Sequence, residues 1–129
     1  MSSLRIMHVD DDDDIREVVS MSLALDPQIE LKSCNSGTLA LQEAAAWQPD
    51  LILMDVMMPL MDGPETLIRL RKQEPTAAIP VIFMTAKAQR HELEHFRSLG
   101  AAAVFAKPFD PLSLAESLRG CLAQLARPA

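Results

Sequence analysis

Asp50-Leu51-Ile52-Leu53-Met54-Asp55-Val56-Met57-Met58-Pro59-Leu60-Met61-Asp62-Gly63 is the stretch that decides how this chain folds. Four apolar residues run up to the Asp55 carboxylate, and a Pro and an Asp-Gly turn follow. A segment with no polar face reads as a strand covered on both sides, the usual state of a parallel strand in an α/β sheet. Asp55 falls where that strand ends. In open α/β sheets ligands bind in the crevice outside the carboxyl ends of the strands. Asp55 is therefore the candidate reactive centre.

The same rhythm recurs outward from this stretch. Leu4 to Val9 is a first strand that runs into five aspartates, Asp10 to Asp14. Ile15, Val18, Val19, Leu23 and Leu25 then recur at helical spacing, with Asp13 or Asp14 suited to cap the helix and Asp26-Pro27 to stop it. Ile29 to Cys34 alternates apolar and polar, as a strand half exposed at a sheet edge does. Asn35 or Ser36 caps a second helix, Thr38 to Trp47, and Pro49 ends it.

After the central stretch, Gly63-Pro64 opens a third helix, with Leu67, Ile68 and Leu70 facing inward and Arg69, Arg71 and Lys72 outward. Pro75 and Pro80 bracket a loop. Pro80 to Met84 is a second fully apolar strand, ending at Thr85-Ala86. A polar helix follows from about Ala88 to Leu99, closed by Gly100. Ala103 to Ala106 is a short strand ending at Lys107-Pro108, and Asp110-Pro111 opens a last helix running to about Leu125. Strand ends fall near positions 9, 34, 54, 84 and 106, so a β-then-α unit occurs five times. That pattern predicts an α/β fold with a parallel sheet. Right-handed crossovers place all five strand ends on one edge.

Composition narrows the function. The chain has 129 residues, one domain by size. Its net charge of −6 argues against direct nucleic-acid or anionic-membrane binding, because both need a basic face. No apolar run reaches membrane-spanning length, and Met1-Ser2-Ser3-Leu4-Arg5 lacks the pattern of a signal peptide. Cys34 and Cys121 form no CxxC and no metal spacing, so they read as reduced thiols of a cytoplasmic protein. Eight methionines against one Trp and no Tyr predict an adaptable aliphatic core.

The strand ends deliver a coherent chemistry. The first supplies Asp10 and Asp11, the third Asp55, the fourth Thr85 and the fifth Lys107. Three close carboxylates repel one another and raise each other's pKa. A hard divalent cation relieves that repulsion, and oxygen-only ligation suits Mg²⁺. Lys107 neutralises part of an incoming anion and Thr85 donates a hydrogen bond to it. The set suits phosphoryl transfer onto Asp55 as nucleophile.

These pieces resemble the response-regulator receiver domain of bacterial two-component systems. The matching motifs are His8-Val9-Asp10-Asp11-Asp12, Asp50 to Gly63, Val81 to Ala86 and Lys107-Pro108-Phe109, and the likeness covers about residues 4–126 of a single domain, 1–129. The resemblance implies a doubly wound, flavodoxin-like sheet of five parallel strands, order 2-1-3-4-5, flanked by five helices. It implies that Asp55 is phosphorylated by a histidine kinase or a histidine phosphotransfer protein. Asp10, Asp11, Asp55 and the backbone carbonyl of Met57 would hold Mg²⁺, and Thr85 and Lys107 would bind the phosphoryl group. The Lys107-Pro108 bond would be cis. Met57 and Lys87 occupy two positions that tune phosphoryl lifetime. The resemblance also implies that the domain would promote only its own phosphorylation and dephosphorylation and would be no enzyme toward an outside substrate. An effector would dock on the face built by the fourth helix, fifth strand and fifth helix.

One departure stands out. The family carries an aromatic three residues before the lysine, and here that position is Val104, with the aromatic at Phe105. Alternation along a strand puts Phe105 on the opposite face, so output is expected to run through loop rearrangement rather than the threonine–aromatic couple.

Competing readings were weighed on the same residues. Asp12, Asp13 and Asp14 read as a solvated loop and helix cap, and His8 as a hydrogen-bonded structural histidine. His91-Glu92-Leu93-Glu94-His95 matches the HExxH zinc pattern, but its helix is polar and no third ligand follows at a convincing spacing. A dehalogenase-like phosphatase would carry a second Asp where Met57 stands. A pseudo-receiver, an interaction module that takes no phosphate, is the runner-up. The stripe Leu112, Leu114, Leu118, Leu122 and Leu125 is first of all core packing, and its width leaves room for dimerisation or partner docking.

Overall fold

A computed structural model describes residues 3–86 and 89–125. Lys87 and Ala126 lie outside the described residues, as does Ala88, where the sequence pattern starts the fourth helix. The chain runs β1 (Leu4–Val9), α1 (Asp13–Leu23), β2 (Ile29–Cys34), α2 (Gly37–Trp47), β3 (Leu51–Asp55) and α3 (Gly63–Lys72). A 3-10 turn (Glu74–Thr76) leads to β4 (Val81–Thr85), α4 (Arg90–Ser98), β5 (Ala103–Ala106) and α5 (Leu114–Leu125). The sheet is parallel throughout, in the order β2-β1-β3-β4-β5.

Every residue of β3 and β4 is buried, which explains their unbroken apolar runs. Alternate residues serve two cores. Met7, Val9, Ile52, Met54, Val81 and Phe83 pack against α2, α3 and α4, where Ala40, Ala44, Leu67, Leu70 and Phe96 close the layer. Ile6, Leu51, Leu53, Ile82 and Met84 face α1 and α5 through Val19, Leu23, Leu114 and Leu118. Each such fully buried aliphatic side chain contributes about 1.5–3 kcal/mol. Val104 packs on the first side and Phe105 on the second. The split expected from strand alternation is therefore present.

Three local expectations need correction. The cap of α1 is Asp12, whose carboxylate accepts from the N–H groups of Asp14 and Ile15, because five consecutive aspartates leave the capping position open until the turn is formed. Arg71 does not face out. Its guanidinium donates to the carbonyls of Ile79 (2.8 Å) and Gly100 (3.3 Å), bracing α3 against the β4 entry and the α4–β5 turn. The leucine stripe splits: Leu114 and Leu118 are buried, whereas Leu112, ahead of the helix, and Leu125 are exposed. Val18 on α1 and Leu25, just past its end, are likewise exposed.

The amino edge of the sheet is pinned by Trp47. Arg5 and Lys32 lie over its ring at 5.5 and 5.7 Å, and Arg5 also donates to the Trp47 carbonyl at 2.8 Å.

Gly63 links fold to site. Its N–H donates to the Val56 carbonyl at 2.9 Å, and a Cβ there would meet the Asp55 carbonyl oxygen at 2.5 Å. The obstacle is backbone, which cannot swing aside. Gly63→Ala should therefore lower stability by about 2 kcal/mol or more. Gly120, inside α5 with nothing within 4 Å of its added Cβ, is the control. Gly120→Ala should stabilise by about 0.5–1 kcal/mol. Urea denaturation of both variants checks the pair of signs.

Candidate functional site

The ladder brings the strand ends level. Asp55 pairs in register with Met84, and Thr85 with Ala106. Val56 N–H donates to the Met84 carbonyl at 3.2 Å and Lys107 N–H to the Thr85 carbonyl at 2.9 Å. These bonds carry Asp55, Thr85 and Lys107 to neighbouring positions on the carboxyl edge. On the other side of β3, Asp10 follows β1, and its N–H donates to the Cys34 carbonyl at 3.1 Å. The Lys107-Pro108 peptide is cis.

At the centre the Lys107 ammonium bridges two carboxylates, Asp55 Oδ1 at 2.9 Å and Asp10 Oδ2 at 3.4 Å. Asp10, Asp55 and Thr85 are buried and Asp11 is exposed. Asp10 Oδ1 also accepts the Asp12 N–H at 2.9 Å. One oxygen from each of Asp10, Asp11 and Asp55 lies within 4.8 Å of the others. Three carboxylates against one ammonium leave the pocket with an excess of two negative charges. A hard cation fits that all-oxygen donor set.

Burial raises the Asp10 pKa above its ordinary value, and the neighbouring Asp55 adds to the rise, while the Asp12 N–H and Lys107 oppose it. Repulsion among carboxylates, the cause expected from sequence, is thus the lesser one for Asp10. Burial alone would lower Lys107, but its bond to Asp55 and the charges of Asp10 and Asp55 outweigh that and raise it. Lys107 is a committed cation.

The structure thus gathers Asp10, Asp11, Asp55 and Lys107 by direct distance and Thr85 through the ladder. Met57 lies two residues past Asp55 in the following loop, its side chain exposed. His91 and His95 are exposed on α4. Among the described residues the only group of three metal-ligating side chains that meets is Asp10, Asp11 and Asp55.

Two residues near the site were not legible as such. Arg16 Nη1 donates to the Asp10 backbone carbonyl at 2.7 Å, and its Nη2 pairs with Asp13. Its position three residues after Asp13 was the available signal, since such pairs share a helix face. His8, expected to be hydrogen-bonded, is fully buried with neither ring nitrogen partnered. Burial first, then the charges of Lys107 and Arg16, push its pKa down from 6.5 to about 4. It sits neutral on the α1/α5 side of β1.

An apolar groove of about 440 Å³ lies beside the site, with Lys107 in its lining. Ile15, Val18, Pro108, Phe109 and Pro111 form its walls, and Lys107 and Asp14 are its charged lining.

The response regulator receiver domain family matches residues 6–119. The DNA-binding dual master transcriptional regulator RpaA of Synechocystis is 38% identical over 122 residues, covering 92% of this chain and 48% of that protein. Regulatory protein AtoC of Escherichia coli is 40% identical over 106 residues, covering 82% of this chain and 22% of its own length. The chain spans between 22% and 57% of the length of curated relatives such as these. Chemotaxis response regulator CheY4 of Vibrio cholerae superposes with a TM-score of 0.85 at 29% identity, covering 93% of this chain and 99% of CheY4.

His8 gives a pH prediction. Its folded pKa is depressed, so it contributes stability above 6.5 that is lost as pH falls toward about 4. The full loss is on the order of 3 kcal/mol. His8→Val removes two unpartnered buried nitrogens. It should raise the urea midpoint at pH 7 and flatten the acid limb between those values, with measurements made in EDTA. An unchanged acid limb would contradict this assignment.

Proposed function

This chain belongs to the response regulator receiver domain family, and we propose that it is a phosphorylation-controlled switch that takes its phosphoryl group on Asp55. The observation that carries this reading is the Lys107 ammonium held at 2.9 Å from Asp55 Oδ1 with the Asp10 and Asp11 carboxylates beside it.

The donor is a phosphohistidine on a histidine kinase or a phosphotransfer protein. An Asp55 oxygen attacks phosphorus, the P–N bond breaks, and its electron pair stays on the departing imidazole nitrogen. Mg²⁺, when bound by Asp10, Asp11, Asp55 and the Met57 backbone carbonyl, supplies positive charge to the phosphoryl oxygens. Lys107 binds one of those oxygens after exchanging its contact with Asp55 for the phosphoryl group. Thr85 donates its hydroxyl to another. Burial of Asp10 and Asp55 keeps these charge contacts in a medium of low dielectric. The apolar groove lined in part by Lys107 and Pro108 is a seat for the donor's side chains, because it borders the residue that holds Asp55.

Phosphorylation then shifts a pre-existing two-state equilibrium of the α4–β5–α5 face, where an effector docks. Val104 replaces the aromatic on the α4 side, and Phe105 packs toward α5. The signal therefore travels through the loops that follow β3 and β4. Met57, exposed beside the site, and Lys87 set the lifetime of the acyl phosphate. The chemistry is self-directed, with no outside substrate turned over. Both cysteines are free, which suits a reducing cytoplasm. No helix among the described residues is long and apolar enough to cross a membrane.

Intact mass after treatment with acetyl phosphate is the test. Wild type should gain one phosphoryl group with Mg²⁺ and none in EDTA, and Asp55→Asn should gain none. Lys107→Met should bind Mg²⁺ more tightly, since a competing cation is gone, yet accept phosphate far more slowly. A wild type that stays unlabelled with Mg²⁺ would leave the pseudo-receiver reading in its place.

A further inference from the structure

Asp10 is held on every side. Its N–H donates to the Cys34 carbonyl at 3.1 Å, Oδ1 accepts the Asp12 N–H at 2.9 Å, and Oδ2 meets Lys107 Nζ at 3.4 Å. Its own carbonyl lies one residue past the end of β1, beyond the ladder. Arg16 takes the place of a strand partner there, donating from Nη1 at 2.7 Å. The other arm of the guanidinium pairs with the Asp13 carboxylate. The Arg16 side chain is only 20% exposed, so the clamp is largely shielded from water.

The Asp10 carbonyl and the Asp11 nitrogen belong to one rigid peptide plane. Pinning the oxygen fixes the direction in which Asp11 leaves the strand. Asp11 has no side-chain hydrogen bond among the described residues, and it is exposed. Yet one of its oxygens reaches within 4.8 Å of ligand oxygens of Asp10 and Asp55. Among the described residues no hydrogen bond or ion pair of the Asp11 side chain accounts for that aim.

We infer that Arg16 is a positioning residue for the cation pocket, aiming the Asp11 carboxylate by clamping the Asp10–Asp11 peptide. This rests on the reading that the pocket takes a divalent cation. Two effects of Arg16 oppose each other. Its positive charge repels a bound cation, and its clamp pre-orders a ligand that would otherwise lose freedom on binding. Asp13, 89% exposed, offsets only part of that charge, whereas the clamp acts directly on the Asp10–Asp11 peptide through the 2.7 Å bond, and on this inference its effect is the larger.

Calorimetric titration with MgCl₂, without any phosphodonor, separates these effects. Arg16→Met should weaken Mg²⁺ binding about tenfold, the scale seen when an outer-shell partner of a metal ligand is lost. Arg16→Lys should restore part of the affinity, because one donor can still reach the carbonyl. In an Asp11→Asn background Arg16→Met should change affinity little, since the ligand it aims is gone. Asp13→Asn, which frees the second arm, should give a smaller loss in the same direction, and it serves as the test if Arg16→Met fails to fold in EDTA. Unchanged or tighter Mg²⁺ binding in Arg16→Met, or in Asp13→Asn where that stands in, would mean that Arg16 acts as a charge alone. An equal loss in the Asp11→Asn background would mean that it does not act through Asp11. A wild type that binds no Mg²⁺ would overturn the cation pocket itself, and this inference with it.

Discussion

The ammonium of Lys107, shared between Asp55 and Asp10, is the contact on which the rest of the molecule depends. Two buried carboxylates side by side would each need to shed charge or find a cation, and an uncompensated buried charge costs several kcal/mol. The parallel ladder supplies the cation by delivering β5 next to β4 and ending it at Lys107. Of the remaining negative charge, the part on Asp11 lies at the water boundary, where it costs least. The pocket is thus only partly neutralised by its own residues, which is the electrostatic basis of the proposed cation and phosphoryl binding.

The sheet was legible to within a residue because burial on both faces removes every polar position from β3 and β4. The convergence of Asp10, Asp11, Asp55, Thr85 and Lys107 followed from strand ends that share one edge. What escaped was decided by long side chains or by local competition. Arg71 looks like a surface residue on a helical wheel, yet its stem reaches carbonyls 8 and 29 residues away. Asp12 rather than Asp13 caps α1 because all five aspartates are chemically able to do so. His8 gave no sign that it would be left without a partner, since a histidine within a strand usually finds one.

Val104 and Phe105 show what a one-place shift does in a strand. The face toward α4 loses a ring, and the Phe83–Phe96 edge-to-face pair, with centroids 5.2 Å apart, is the aromatic packing that remains on that side. Phe105 is instead sequestered with Leu114 and Leu118. No large side chain beside Thr85 on this strand is available to swing between an inner and an outer position on the α4 side. The β3–α3 loop, with Leu60 in the left-handed region at φ 68° and fully exposed, is the more deformable neighbour of the site.

Trp47 sits at the opposite rim, stacked under Arg5 and Lys32, and Arg5 lies five residue steps before Asp10, roughly 16 Å of extended chain. The chain's only indole is therefore an optical probe of the wrong end for chemistry and the right end for integrity. Its emission will collapse when the β1–β2 edge frays or the protein melts. The indole lies too far from the carboxylate cluster to report on events there, so a fluorescence assay of the proposed switch would need a second fluorophore placed near the β3–α3 loop.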